Sequence, residues 1–212
     1  MTKAAPRDPD KEERIFSAAM HIFASRGYQN AKTDDIVTQA GVSKGLLFHY
    51  FGSKANLYVE TVKRAYRVIE DAADYSVWQD APDLTTMVTS ALKYKIQLQM
   101  QYPDEFAMAI AAYTNNATLP QKMQDELGNI WSSQLTTSVP MLTKPVIERM
   151  HLRDDVEPET VMELMSAVSL IIGEKAKARL QANPHLPISE LEDFVDETKK
   201  YMDVLIHGFQ KQ

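Results

Sequence analysis

Residues 33–54 read TDDIVTQAGVSKGLLFHYFGSK, and the reading of this stretch decides the fold. Ile36, Val37 and Ala40 share one side of a short helix that Thr33 is placed to cap, because a threonine hydroxyl can accept an orphan N–H of the first turn. Gly41 ends that helix, and a glycine there can take the left-handed conformation of a sharp turn. Ser43 can cap the next helix, which runs to Phe51. Gly52-Ser53 then repeats the stop and the cap before a longer helix carrying Leu57, Val59, Val62, Ala65, Tyr66 and Ile69. Upstream, Ile15, Ala18, Ala19, Ile22 and Phe23 fall at i, i+3, i+4, i+7 and i+8, the stripe of an amphipathic helix. Asp8-Pro9 marks its start and Gly27 its stop. Short helices joined by tight glycine turns make a helix-turn-helix unit, whose turn is Gln39-Ala40-Gly41-Val42-Ser43. Val42 and Leu47 can fill the space between its two helices.

The outer face of the last short helix then holds Ser43, Lys44, Gly45, Leu46, Phe48, His49 and Tyr50. Rings, a cation and a small residue that permits close approach are an odd set to place in water. They suit a DNA groove, where phosphate contacts orient and base-edge contacts specify. Phe48 and Tyr50 cannot both lie wholly outside so short a helix, so one of them joins Phe51 in the core. Lys44 and Lys54 are placed for phosphate contacts, with ordinary solvation as the alternative. His49 carries the same two readings. Lys3, Arg7 and Lys11 read as a solvated tail, with an arm on DNA as the alternative.

Charge separates the two ends of the chain. The 212 residues carry a net charge of −6, but residues 1–67 hold eleven lysines and arginines against seven aspartates and glutamates. The remaining residues hold twelve against twenty-two. A locally basic end can hold nucleic acid on an otherwise acidic protein, because phosphate contacts depend on the local field. No cysteine is present, which excludes disulfides and thiolate chemistry. No apolar run approaches the roughly 18 residues of a membrane span, and the charged amino terminus lacks a secretion signal. A cytoplasmic protein without membrane contact is expected.

Beyond residue 75 the helical segments lengthen to 84–102, 103–115, 120–151, 158–183 and 189–210, with prolines at most of the breaks. Pro140 and Pro145 should kink or split the third of these. With no alternating strands the chain is all-α. The expected organisation is an amino-terminal three-helix helix-turn-helix domain over residues 1–55 and a larger helical body over residues 56–212.

The run Thr33-Asp34-Asp35-Ile36-Val37, then Ala40 to Gly45, then Phe48 to Phe51, then Ser53, Lys54 and Leu57 resembles the TetR family of bacterial transcriptional regulators. The resemblance covers residues 12–62. Leu46 departs from it, since many members carry Thr or Ser there. The resemblance implies that Thr33, Ser43, Lys44, Phe48, His49, Tyr50 and Lys54 face DNA, with Gly45 and Leu46 near the groove floor. It also implies a homodimer on palindromic double-stranded operator DNA and a body that binds a small-molecule effector and dimerises.

In that body, Met87, Tyr94, Met100, Phe106, Met108, Tyr113, Trp131 and Met165 are candidates for lining a pocket, because thioethers and amphipathic rings adapt to irregular apolar ligands. Plain core packing is the alternative for each. Met162, Val168, Ile172, Phe194, Tyr201 and Leu205 lie on the two last helices and are candidates for the dimer interface. The histidines show no metal-ligand spacing, and no phosphate loop, nucleophile elbow or HExxH helix is present, so neither a cofactor nor an enzyme is expected. The reading is a repressor released from its operator by an apolar or amphipathic ligand. Its rivals are a DNA-binding architectural protein without a ligand and a helical protein-interaction module.

Overall fold

The computed structural model describes residues 7–183 and 189–208, and every regular element among them is helical. In chain order they are α1 (Pro9–Asn30), α2 (Thr33–Ala40), α3 (Lys44–Phe51), α4 (Lys54–Ala72), α5 (Ser76–Gln79), α6 (Leu84–Gln101), α7 (Pro103–Thr114), α8 (Gln121–Ser133), α9 (Val139–Ile147), α10 (Pro158–Ala182) and α11 (Ser189–His207). A 3-10 turn, Asn116–Thr118, follows α7, and a π-helical turn, Gln134–Ser138, joins α8 to α9. The end expected at residue 210 lies outside the described residues. Among the described residues no helix is long and apolar enough to cross a membrane.

Most helix ends follow from local chemistry. Asp8 caps α1 by accepting the N–H groups of Asp10 and Lys11 at 3.1 and 3.4 Å, with Pro9 in the first turn, where its missing donor costs nothing. Gly27 interrupts α1 at φ 69°, and one further turn carries the chain to Asn30. At α2 the expected cap is corrected: Thr33 is already helical, and the extended Lys32 precedes it with no side-chain cap. The Lys32 carbonyl accepts the N–H groups of Asp35 and Ile36 at 3.2 and 3.3 Å, so the backbone turns into the helix without the hydroxyl. Ser43 and Ser53 cap as expected, accepting Leu46 N–H at 3.2 Å and Asn56 N–H at 3.0 Å.

The long segment expected over 120–151 is split. Pro140 has no N–H for the carbonyl four residues earlier, and its ring would strike that carbonyl. The chain answers with the π-helical turn just before it. Pro145 lies inside α9, which ends two residues later.

The chain packs as two units. One comprises residues up to 72 together with 102–127; there α7 lies against α1 and α4, and α1 also meets α2. Ile15, Ala19 and Phe23 of α1, Ile36 of α2, Leu47 of α3, Leu57 and Val62 of α4 and Met108 of α7 are buried in it. Phe16 meets Phe51 edge-on at 5.2 Å, and Phe23 meets Tyr58 at 5.0 Å. Burial raises the Tyr58 phenol well above the usual tyrosine range. The other unit comprises residues 73–101 together with those from 128 onward. Its core gathers Trp78, Ala81, Leu84, Met87, Ala91, Val146, Ile147, Met165 and Met202. Arg149 closes one end by donating to the carbonyls of Ala81, at 2.7 Å, and Gln79.

Candidate nucleic-acid interface

The turn between α2 and α3 is built by Gly41 at φ 62°, whose left-handed backbone lets Val42 N–H reach the Val37 carbonyl at 3.1 Å. A Cβ on Gly41 would stand 3.2 Å from an Arg14 guanidinium nitrogen, so both backbone and space call for glycine. Leu47 and Phe51 point inward from α3, which turns the opposite face out.

That face carries Ser43, Lys44, Gly45, Phe48 and His49, all exposed, with Leu46 half-buried beside them. Phe48 is 37% exposed, a large ring left in water. A Cβ on Gly45 would meet nothing nearer than the Ser43 hydroxyl at 4.0 Å, so the helix itself has no need of glycine there. Lys44 pairs with Asp34 at 2.7 Å between exposed side chains. Such a pair is worth at most about 1 kcal/mol, so a phosphate can displace the carboxylate at little cost.

Of the two rings that could not both face out, Tyr50 is the inner one, 7% exposed. Its hydroxyl accepts the Asp8 N–H, its backbone carbonyl accepts the Arg7 guanidinium, and that guanidinium lies 5.2 Å from the centre of the Phe51 ring. Arg7 therefore ties the start of the chain to the end of α3, a role hidden from sequence because these residues are more than forty positions apart. Lys3 lies outside the described residues. Thr33 is half-buried at the start of α2. Lys54 is half-buried as well: its ammonium sits 4.7 Å over the Tyr28 ring and 3.4 Å from the Gln29 carbonyl, and burial lowers its pKa.

Of the residues expected to line a pocket, the structure brings Met87, Tyr94 and Met165 together. Met87 and Met165 are buried in the second unit's core, with Tyr94 packed against it, edge-on to Trp78 at 5.4 Å and accepting Asp74 N–H at 2.8 Å. Met108 is fully buried in the first unit, where half-buried Phe106 and Tyr113 share its helix. Met100 is 69% exposed, and Trp131 is half-buried near the end of α8.

The residues expected at a dimer interface mostly turn inward. Met162, Val168 and Leu205 pack on the second unit's core, and Phe194 is buried beneath the Arg179 guanidinium at 5.1 Å. Ile172 is half-buried, and Tyr201 meets the Lys175 ammonium beside Glu197. The exposed apolar side chains of these helices are different ones: Leu164, Leu170 and Ile171 on α10, and Val204 and Ile206 on α11. In the sequence α10 is apolar nearly all round, so no polar face tells its two sides apart.

Comparison with known proteins bears on both units. Residues 15–61 match the family described as "Bacterial regulatory proteins, tetR family". Over 59 residues the chain is 41% identical to the HTH-type transcriptional activator FasR of Mycolicibacterium smegmatis, a match covering 28% of this chain and 26% of that protein. The chain thus spans about a quarter of that relative's length. A solved protein of Mesorhizobium loti, described as a TetR-family transcriptional regulator, superposes with a TM-score of 0.68 at 18% identity, over 94% of this chain and 98% of that one. One of Saccharomonospora viridis, described as a transcriptional regulator in complex with choline, gives 0.64 at 18% identity, over 97% and 100%. At such identities the likeness is one of fold, and it extends over both units.

Proposed function

We propose that this chain, whose residues 15–61 match the TetR family of bacterial regulatory proteins, is a homodimeric repressor that binds a palindromic operator and is released by a small molecule. Residues 1–55 act on DNA and residues 56–212 bind the effector and the second subunit, all within the cytoplasm. The observation that carries the DNA reading is the outer face of α3, where Lys44, Gly45, Phe48 and His49 stand exposed on a helix anchored from behind by Leu47 and Phe51. In a major groove Lys44 contacts phosphate, Gly45 admits the backbone close to the bases, and Phe48 and His49 meet base edges. Ser43 and Leu46 flank them, while Thr33 and Lys54 stand at the margins for phosphate. Tyr50 holds the helix in place from beneath.

A second subunit is supported by the apolar side chains left in water on α10 and α11, which a two-fold partner would cover. Repression needs only that the dimer occupy a promoter, whereas activation needs a further surface that engages polymerase. The effector acts by binding better to the conformation whose recognition helices are wrongly spaced for successive grooves. By linkage, operator DNA then weakens effector binding by the same factor. The fold accommodates an organic molecule in the Saccharomonospora viridis protein, which holds choline.

The test is binding of the full chain to a DNA fragment from upstream of its own coding sequence, measured against salt. A steep loss of affinity with rising salt, and a promoter-reporter signal that rises when the protein is removed, are expected. Binding without salt dependence sinks the DNA reading. A reporter that falls on removal replaces repression with activation.

A further inference from the structure

The residues of α3 include no arginine, asparagine or glutamine, the side chains that read guanine or adenine through paired hydrogen bonds in a major groove. Its own polar groups are mostly engaged. The Tyr50 hydroxyl is turned inward onto the Asp8 N–H, and the Lys44 ammonium is paired with Asp34. The Ser43 hydroxyl, just before the helix, accepts the Leu46 N–H. That leaves the exposed imidazole of His49 to meet a base edge.

The rest of the outward surface is apolar. With Leu47, Tyr50 and Phe51 buried, Gly45 and His49 stand one turn apart at its centre, and Phe48 and Leu46 take its two flanks. Phe48 is exposed and Leu46 half-buried. A phenyl ring and an isobutyl group have neither donor nor acceptor. The group on a major-groove base edge that such side chains can single out is the C5-methyl of thymine. Contact with it takes apolar surface out of water on both sides, whereas cytosine offers a bare C–H at that place. Gly45 between the two flanks lets the helix sit deep enough for that contact, since no protein atom lies nearer than 4.0 Å to where its Cβ would be. An apolar protein surface is a poorer match for this face, because the residues around it, 1–67, carry eleven lysines and arginines against seven aspartates and glutamates.

Resting on the DNA reading above, we propose that Phe48 and Leu46 select thymine by its C5-methyl group. The half-site is then chosen more by apolar contact than by hydrogen bonds, with T·A pairs beneath the two flanks of α3 and His49 reading between them.

The experiment prepares the fragment from upstream of the coding sequence twice, once with thymine and once with uracil throughout. The second duplex lacks every C5-methyl yet keeps its base pairs and its phosphates. Fluorescence anisotropy at several salt concentrations then gives the affinity of wild type, Phe48→Ala, Leu46→Ala and the double variant for both. A buried methyl is worth about fourfold in affinity. Wild type, with one or more such contacts in each of two half-sites, should therefore bind the uracil fragment about fifteenfold or more weakly. The dependence on salt should be equally steep for both fragments, because no phosphate contact is lost. Each single variant should narrow the gap between the fragments, and the double variant should close it. Equal affinity of wild type for the two fragments overturns the proposal, and that comparison needs no variant to fold. An undiminished gap in the double variant also overturns it, by tracing the effect to the stiffness of the DNA itself. Salt-sensitive binding to the thymine fragment would leave the DNA reading standing in either case. Its absence on both fragments would sink the DNA reading and the methyl reading together.

Discussion

The Tyr50 hydroxyl accepts the backbone N–H of Asp8 at 2.8 Å, which joins the last turn of α3 to the cap of α1. The ring itself is nearly enclosed and stands 6.3 Å from that of Phe51. Tyr50 thereby sets the angle at which the exposed face of α3 is offered, and the hydrogen bond and the ring can be tested separately. Tyr50→Phe keeps the packing and leaves the Asp8 N–H without its acceptor, so unfolding should become easier by about 1 kcal/mol. Tyr50→Ala also removes the ring and should cost about 3–5 kcal/mol. Chemical denaturation of both variants checks the pair. Equal losses would mean that the hydroxyl, and not the ring, secures the helix.

Gly45 and Gly41 should respond in opposite ways to the same substitution. Gly45 is helical with open space at its Cβ, so Gly45→Ala should raise stability by about 0.5–1 kcal/mol through the unfolded chain. The added methyl stands on the face proposed for the groove, so operator affinity should fall at least tenfold while the fold gains. At Gly41 the positive φ and the Arg14 guanidinium both resist a side chain, and Gly41→Ala should lose about 1–2 kcal/mol. Thermal melts and fluorescence anisotropy with labelled operator measure the two effects independently. A Gly45→Ala protein with full operator affinity would remove α3 from the groove.

The contrast between these glycines shows what sequence can carry. Gly41, Ser43 and Ser53 act through neighbours one to four residues away, so their roles are legible from spacing alone. The helix breaks at proline are legible for the same reason. Long-range partners are not. Nothing near Met108 or Tyr113 in the chain says that α7 joins the unit of α1 and α4, and nothing near Arg7 names Tyr50. Thr33 lies one position inside the helix that its hydroxyl is expected to cap, because serine, threonine and their like also occur just inside helices that the backbone alone starts.

Glu197 links α11 to α10, accepting the Lys175 ammonium and the Arg179 guanidinium, the latter at 2.9 Å. The hydrogen bond from Lys175, more than any other influence, holds the carboxyl below the usual glutamate range. A group whose pKa is depressed by folding contributes stability above its unfolded pKa, and that contribution fades as pH falls through the folded value. The protein should therefore lose stability through this pair on acidification below about pH 4.5, the ordinary glutamate range. Glu197→Gln should flatten that part of the melting-temperature profile while changing little near neutrality, since the pair is solvent-exposed and screened. An unchanged acid limb in the variant would assign the acid loss to other carboxylates.

Leu164 and Ile171 stand seven residues apart on α10, hence on one face, and each is nearly half exposed: 46% in both cases. Neither packs into the second unit's core, so a polar replacement should leave the subunit folded. Buried apolar surface stabilises association by about 25 cal/mol per Å², and two glutamates facing their own images across a two-fold axis would add repulsion to its loss. Leu164→Glu combined with Ile171→Glu should therefore convert a dimer to monomers in sedimentation at micromolar concentration, with the helical signal unchanged. Operator affinity should then drop steeply, because a monomer engages one half-site and forfeits the gain from linking two. Single half-site binding should persist, since α3 is untouched. A double variant that stays dimeric and helical would move the subunit contact off this face of α10 and leave Val204 and Ile206 of α11 as the surface to examine by the same substitutions.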